Sequence, residues 1–382
     1  MKKILFITGT RADYGKIKSL MKEVEKNPQF ELHIFVTGMH MLKKYGYTIQ
    51  EIKKDGFQNL YQFINQQNDA KMDITLSNTI LGLSNYVNEL QPDLIVVHGD
   101  RLEALAGAIV GSLNNIRVAH IEGGEVSGTI DESIRHAITK FSHIHLVSNE
   151  EAKNRVIQLG EKDSSVHIIG SPDIDIMLSD KLPTIDEVKN RYDILFDEYA
   201  IFIYHPVTTE LDQLPTNVKN VVNAVIRSRK NYIVIYPNND EGNRYIFEEY
   251  KRFENNSNFK VFPSMRFEYF LTLLKHSEFM IGNSSTGIRE TEIYGIPSVD
   301  IGNRQKGRYK LSKTSNIIYT PDSEELILKA INLVEDKQYT NFNFGDGKSH
   351  TKFIRLLENG TIWESSLQKN FVDSAKEREV IV

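Results

Sequence analysis

The sequence predicts an α/β protein built as two open, doubly wound domains that face each other across a cleft. Three features of the chain point there. Short apolar runs alternate with amphipathic helical patterns, the alternation restarts after about residue 170, and the most suggestive polar residues follow the apolar runs directly.

In the first half the runs are Ile4-Leu5-Phe6-Ile7, Leu32-His33-Ile34-Phe35-Val36, Leu94-Ile95-Val96-Val97, Val118-Ala119-His120-Ile121 and Ile144-His145-Leu146-Val147. Such runs suit strands buried on both faces of a parallel sheet. Between the second and third, Leu76, Ile80, Leu83, Val87 and Leu90 are spaced by four and three residues, which predicts an amphipathic helix. Ser171-Pro172-Asp173 then reads as a turn, and the polar stretch up to about Asp197 as the hinge region. Beyond it, Ile201-Phe202-Ile203-Tyr204, Tyr232-Ile233-Val234-Ile235-Tyr236, Phe279-Met280-Ile281 and Ser298-Val299-Asp300-Ile301 predict the strands of a second sheet.

The 382 residues exceed what one hydrophobic core normally supports, in keeping with two lobes. A hydrophobic content of 40% with 25% charged residues suits an ordinary globular protein. The net charge of -5, with Lys and Arg scattered, predicts no nucleic-acid groove. With no cysteine, disulfides, thiolate catalysis and Cys-ligated zinc are excluded. The apolar run after Met1 is interrupted at Gly9-Thr10-Arg11-Ala12-Asp13, so it reads as a first strand rather than a signal peptide. Ala104 to Leu113 is far too short for a membrane span. The expectation is a soluble, cytoplasmic protein with neither a membrane nor a nucleic-acid partner.

Open α/β sheets bind ligands beyond the carboxyl ends of their strands. Gly9-Thr10-Arg11-Ala12-Asp13-Tyr14-Gly15-Lys16 fits a phosphate-binding turn with Arg11 and Lys16 as cations, and equally a tight turn with surface charges. Asn283-Ser284-Ser285-Thr286-Gly287-Ile288-Arg289-Glu290 follows a strand and is expected to open a helix. Its hydroxyls and free N–H groups suit a pyrophosphate, and Glu290 suits a ribose; an ordinary Ser cap with a solvated Glu290 is the plain alternative.

Asp100, Glu122 and Asp131 come from three turns after strands, and converging carboxylates can have their pKa values driven apart into one acid and one base. Each also fits a structural role: a helix cap, or a partner of Arg101 or Arg135. His205 ends a buried strand before Pro206, where it can transfer protons or bind phosphate. His40, His98, His120 and His136 have weaker claims. No spacing of the His-Glu-x-x-His kind predicts a metal site, and no cofactor is called for.

Taken together, Gly9 to Tyr14, Val97-His98-Gly99-Asp100-Arg101, His120 to Asp131 and Gly282-Asn283-Ser284-Ser285 resemble the hydrolysing UDP-N-acetylglucosamine 2-epimerases of sialic-acid biosynthesis. The resemblance runs from Ile4 to about Trp363. At Asp131 and in the first turn the chain is similar to the sialic-acid branch rather than to the enterobacterial-antigen epimerases, which carry Glu at the position of Asp131.

The resemblance implies two Rossmann-like domains in the glycosyltransferase-B arrangement: 1–170 catalytic, 171–365 UDP-binding, and a tail, 366–382, packing back on the first domain. It implies nucleotide-binding roles for Ser284, Ser285, Glu290 and Arg304, a basic turn near the phosphates from Arg11 and Lys16, and catalytic positions at Asp100, Glu122, Asp131 and His205. It further implies a UDP-sugar substrate and a homodimer or higher homo-oligomer serving a sialic-acid-containing surface polysaccharide. Three rivals stay open: an epimerase of a UDP-2,4-diacetamido-trideoxyhexose, a glycosyltransferase of the same fold, and a nucleotide-sugar-binding regulator.

Overall fold

The computed structural model describes residues 1–67, 70–127, 129–307, 316–334, 339–340 and 343–372. The first half forms a seven-stranded parallel sheet from β1 (Lys2–Thr8), β2 (Phe30–Val36), β3 (Leu60–Gln62), β4 (Leu94–His98), β5 (Arg117–Ile121), β6 (Ile144–Val147) and β7 (Val166–Ile168), in the order β3-β2-β1-β4-β5-β6-β7. The second half forms a six-stranded parallel sheet from β8 (Ala200–Ile203), β9 (Tyr232–Ile235), β10 (Phe259–Phe262), β11 (Met280–Gly282), β12 (Ser298–Ile301) and β13 (Ile317–Thr320), in the order β10-β9-β8-β11-β12-β13. Among the described residues no helix is long and apolar enough to cross a membrane.

Successive side chains of a strand point to opposite faces, and the cores follow that rule. Ile4 and Phe6 pack with Ile17, Leu20, Met21 and Val24 of the helix Arg11–Lys26, while Leu5 and Ile7 pack with Leu83 and Val87 of the helix Met72–Leu90. In the second sheet Phe202 faces Val218, Val221 and Val225 of the helix Leu214–Arg227, and Ile201 and Ile203 face Leu273 and Leu274 of the helix Phe267–Lys275. Strand order reverses between β1 and β4 and again between β8 and β11, which opens a crevice at the carboxyl edge of each sheet.

The chain passes between the lobes twice. After β7 it leaves through Gly170 and Ser171 into the helix Pro172–Met177. The helix Ser349–Glu358, although within 171–365, lies on the first lobe: Phe353 and Leu357 join the core of β1, with the Phe353 ring edge-on to Phe6 at 6.1 Å. The two crossings run side by side. The Ser171 amide donates to the Phe344 carbonyl at 2.7 Å, and a Cβ on Gly170 would lie 3.1 Å from the Gly345 Cα. Both glycines have positive φ, +85° and +142°, which favours a residue without a Cβ. Of the tail 366–382, the described part to residue 372 sits on the first lobe, where Lys369 pairs with Glu161 at 2.7 Å; residues 373–382 lie outside the described residues.

The segment after β11 differs from the expected helix start. Ser284 closes a tight 3₁₀ turn, Ser285–Gly287, and the α-helix begins only at Glu290 and runs to Tyr294. The Ser284 hydroxyl accepts the Thr286 amide, and Gly287 packs against Ser298, where a Cβ would come within 2.6 Å of the Ser298 hydroxyl; together these hold the turn tight.

Candidate active site

Between the two carboxyl edges lies a cavity of about 310 Å³. Arg11, Lys16, Asp100, Glu122, Asp131, His205, Ser284, Ser285, Glu290 and Arg304 all line it, so the two crevices form one site. The motif His120 to Asp131 is described except for Gly128.

Glu122 follows β5 in a left-handed backbone conformation, φ +64°, uncommon for a residue with a side chain and held by the hydrogen bond its amide N–H donates to the Leu146 carbonyl at 2.9 Å. Its carboxylate meets the Arg289 guanidinium in a two-point fork at 2.7 and 2.8 Å and accepts a short bond from the Ser171 hydroxyl. His98, at the end of β4, places Nε2 3.3 Å from the same carboxylate and Nδ1 3.2 Å from Asp13. Asp13 in turn accepts from the Thr8 hydroxyl and the Gly9 amide, which fixes it against the end of β1.

Burial opposes charge on Glu122, yet Arg289 and His98 outweigh it and hold the carboxyl well below the ordinary range. Burial would likewise depress His98, but Glu122 and Asp13 push it up to about 10.

Asp131 sits in the first turn of the helix Ile130–Phe141, which is capped by Thr129 rather than by Asp131 itself. Burial and the neighbouring charge of Asp100 push its pKa up, against Arg304 at 3.2 Å. Asp100 pairs closely with Arg135, which lies four residues beyond Asp131 on that helix and also donates to the Glu125 carbonyl at 3.1 Å. Glu122 is thus driven towards permanent charge and Asp131 towards proton exchange, the separation that lets two carboxylates take different parts in one reaction.

On the second lobe, the Asn283 side chain brackets the His205 backbone, accepting its amide at 2.7 Å and donating to its carbonyl at 2.9 Å. The His205 Nδ1 accepts the Asn238 amide at 3.1 Å, so the ring hydrogen resides on Nε2. Burial, with Arg304 and Arg101 nearby, keeps this ring well below its ordinary pKa and therefore neutral.

Arg11 reaches across the cleft to the Ser264 hydroxyl at 2.8 Å. Lys16 spans it differently from the isolated phosphate-facing cation of the sequence reading: its ammonium lies 3.0 Å from Asp173 and 2.9 Å from Glu290. Arg101 bonds Asp240 and Asn239, at 3.1 and 2.8 Å.

Sequence reasoning gave no role to Arg289, Asp13 or Asp173 and ranked His98 low. Arg135 was named there as a candidate partner of the carboxylates, and it pairs with Asp100. The pairing of Arg289 with a carboxylate 167 positions away had no local signal. Among the described residues no group of three or more His, Asp or Glu is placed to hold a metal ion.

A family model described as UDP-N-acetylglucosamine 2-epimerase matches residues 22–358. A Neisseria meningitidis serogroup B protein named UDP-N-acetylglucosamine 2-epimerase is 48% identical over 375 residues, covering 98% of this chain and 99% of the relative. A Legionella pneumophila protein named UDP-N,N'-diacetylbacillosamine 2-epimerase (hydrolyzing) is 33% identical over 377 residues, covering 97% and 99%. The crystal structure of Methanocaldococcus jannaschii UDP-GlcNAc 2-epimerase in complex with UDP-GlcNAc and UDP is similar at a TM-score of 0.81 and 22% identity, covering 94% of this chain and all of that one. The shared fold is two Rossmann-like lobes in the glycosyltransferase-B arrangement, with a cleft between them.

Proposed function

Because the chain belongs to the UDP-N-acetylglucosamine 2-epimerase family, we propose that it is a hydrolysing epimerase that converts UDP-N-acetylglucosamine and water into N-acetylmannosamine and UDP. The observation that carries this reading is the convergence of Asp100, Glu122 and Asp131 from one lobe with Ser284, Ser285, Glu290 and Arg304 from the other on a single cavity.

The reaction has two stages. The C1–O bond breaks and UDP leaves with the bonding pair; the C2 proton is lost and its electrons form the C1–C2 double bond of a 2-acetamidoglucal. Water then adds, its hydroxyl to C1, and a proton is delivered to C2 from the opposite face. The C2 proton is not adjacent to a carbonyl carbon, so C1–O cleavage leads and charge develops on the ring and the diphosphate. Arg11, Lys16 and Arg304 offset the diphosphate charge, and the neutral His205 offers it an Nε2–H. Ionised Glu122 steadies the cationic ring, while Asp131, with its raised pKa, and Asp100 exchange protons. Glu290 takes the ribose hydroxyls once Lys16 turns to the phosphates. The reaction calls for no metal or cofactor.

The product suits sialic-acid synthesis in the cytoplasm, by an enzyme assembled at least as a homodimer. The relative from Legionella supports a second reading, a UDP-2,4-diacetamido-trideoxyhexose as substrate. An NMR time course in deuterated water decides both points. UDP-N-acetylglucosamine should give free UDP in step with N-acetylmannosamine carrying deuterium at C2. Retained protium at C2, or intact UDP-N-acetylmannosamine, refutes the mechanism; a much higher kcat/KM for the diacetamido sugar moves the substrate to the second reading.

A further inference from the structure

The contacts of Glu122 go beyond what a carboxylate needs simply to be buried. An ionised carboxylate offers about four acceptor positions; here Arg289 takes two and Ser171 one, and His98 Nε2 stands 3.3 Å from Oε2 as an ion-pair partner. Protonating Glu122 forfeits its pairing with both cations. The two cations come from different lobes: His98 ends β4 of the first sheet, whereas Arg289 precedes the short helix Glu290–Tyr294 of the second. We propose that Arg289 and His98 are positioning residues that clamp Glu122 across the cleft, so that closure of the lobes is what delivers this carboxylate ionised and correctly aimed. The proposal rests on the reading of Glu122 as a catalytic group.

The surroundings make the clamp necessary. Glu125 lies 3.1 Å from Arg289, and Asp173 lies 3.9 Å from it, so the same guanidinium stands among three carboxylates. Lys16 is the other cation facing the cluster from the first lobe, but it is committed to Asp173 and Glu290. Asp13 lies behind His98 and fixes its ring orientation. If the second lobe swings away, Arg289 leaves with it, and Glu122 and Glu125 lose the guanidinium that bridges them. Loss of that charge and the neighbouring carboxylate then both favour protonated Glu122. The left-handed backbone at Glu122 orients the side chain, and the two-point fork fixes its plane, geometry that a lysine cannot supply.

The test is the pH dependence of kcat in wild-type, R289K, H98Q and E122Q proteins, with circular dichroism and UDP affinity measured alongside. R289K keeps the charge and loses the fork. H98Q keeps a donor near the Nε2 position and loses the charge. In both, the acid limb of kcat is expected to move to higher pH by about one unit or more, so that activity at low pH falls about tenfold further than at high pH. If R289K does not fold, H98Q carries the same measurement. Acid limbs that coincide with the wild type in folded variants, while E122Q is slow, overturn the clamp and leave Glu122 as a catalytic group. Turnover near the wild-type rate in E122Q overturns the assignment of Glu122 and the clamp with it.

Discussion

Replacing His98 by glutamine should change the pH dependence of folding in a way that can be worked out beforehand. The imidazole lies between Asp13 and Glu122 and is pushed from 6.5 to about 10 in the folded protein. A raised histidine pKa stabilises the native state fully below about 6.5, where the imidazole is protonated folded or unfolded; that stabilisation is lost as the pH rises through about 10. Within this window the native state holds one proton more than the unfolded chain, and stability falls by about 1.4 kcal/mol per pH unit. From about pH 7 to about pH 9 the contribution of His98 should therefore shrink by about 2 to 3 kcal/mol. Other groups titrate too, so the quantity to follow is the difference in urea-unfolding free energy between wild type and H98Q. That difference should be largest below about pH 6.5 and should nearly close as the pH passes about 10. A difference independent of pH, or an NMR titration placing the His98 imidazole near its ordinary value, would refute the charged ring.

The amides D100N, E122Q and D131N should keep the fold and UDP binding but turn over more slowly by about two to four orders of magnitude, with glucal accumulating where hydration suffers more than elimination; steady-state assays with product NMR check this. E290A should weaken UDP in calorimetry, and because it also removes a partner of Lys16, the remaining Lys16–Asp173 pair should keep the empty fold intact. EDTA should leave both UDP affinity and activity unchanged. F353A, in a side chain only 1% exposed, should cost about 3 to 5 kcal/mol by urea unfolding and loosen the C-terminal helix to proteolysis.

The strands legible in the sequence were those buried on both faces. β1, β2, β4, β5, β6, β8, β9, β11 and β12 all carry apolar runs that announce them. The four that went unread, β3, β7, β10 and β13, are the outer strands of the two sheets. Each is partly exposed, and in β7 and β10 a polar residue, His167 or Lys260, interrupts the apolar run. The same division holds in the cavity. Residues that follow strands in recognisable turns were found, because strand position alone aims them at the cleft. Arg289 was missed because its meaning lies in where the other lobe stands, which local spacing does not encode. Asp173 sat in a segment read only as a turn, yet its carboxylate meets Lys16 inside the site.

The paired crossings at Gly170 and Gly345 have a mechanical consequence. Two bodies joined by a single tether can twist, slide and tip with little restraint. Two tethers that touch and are bonded to each other behave instead like the knuckles of one door hinge. They suppress sliding and twisting and leave rotation about the line of contact as the soft coordinate. The swing that opens the cleft then retraces one arc, so the arginines and carboxylates of opposite walls return to the same partners on every cycle. Because both bearings are glycines at positive φ, a side chain at either would jam the joint and slow opening and product escape.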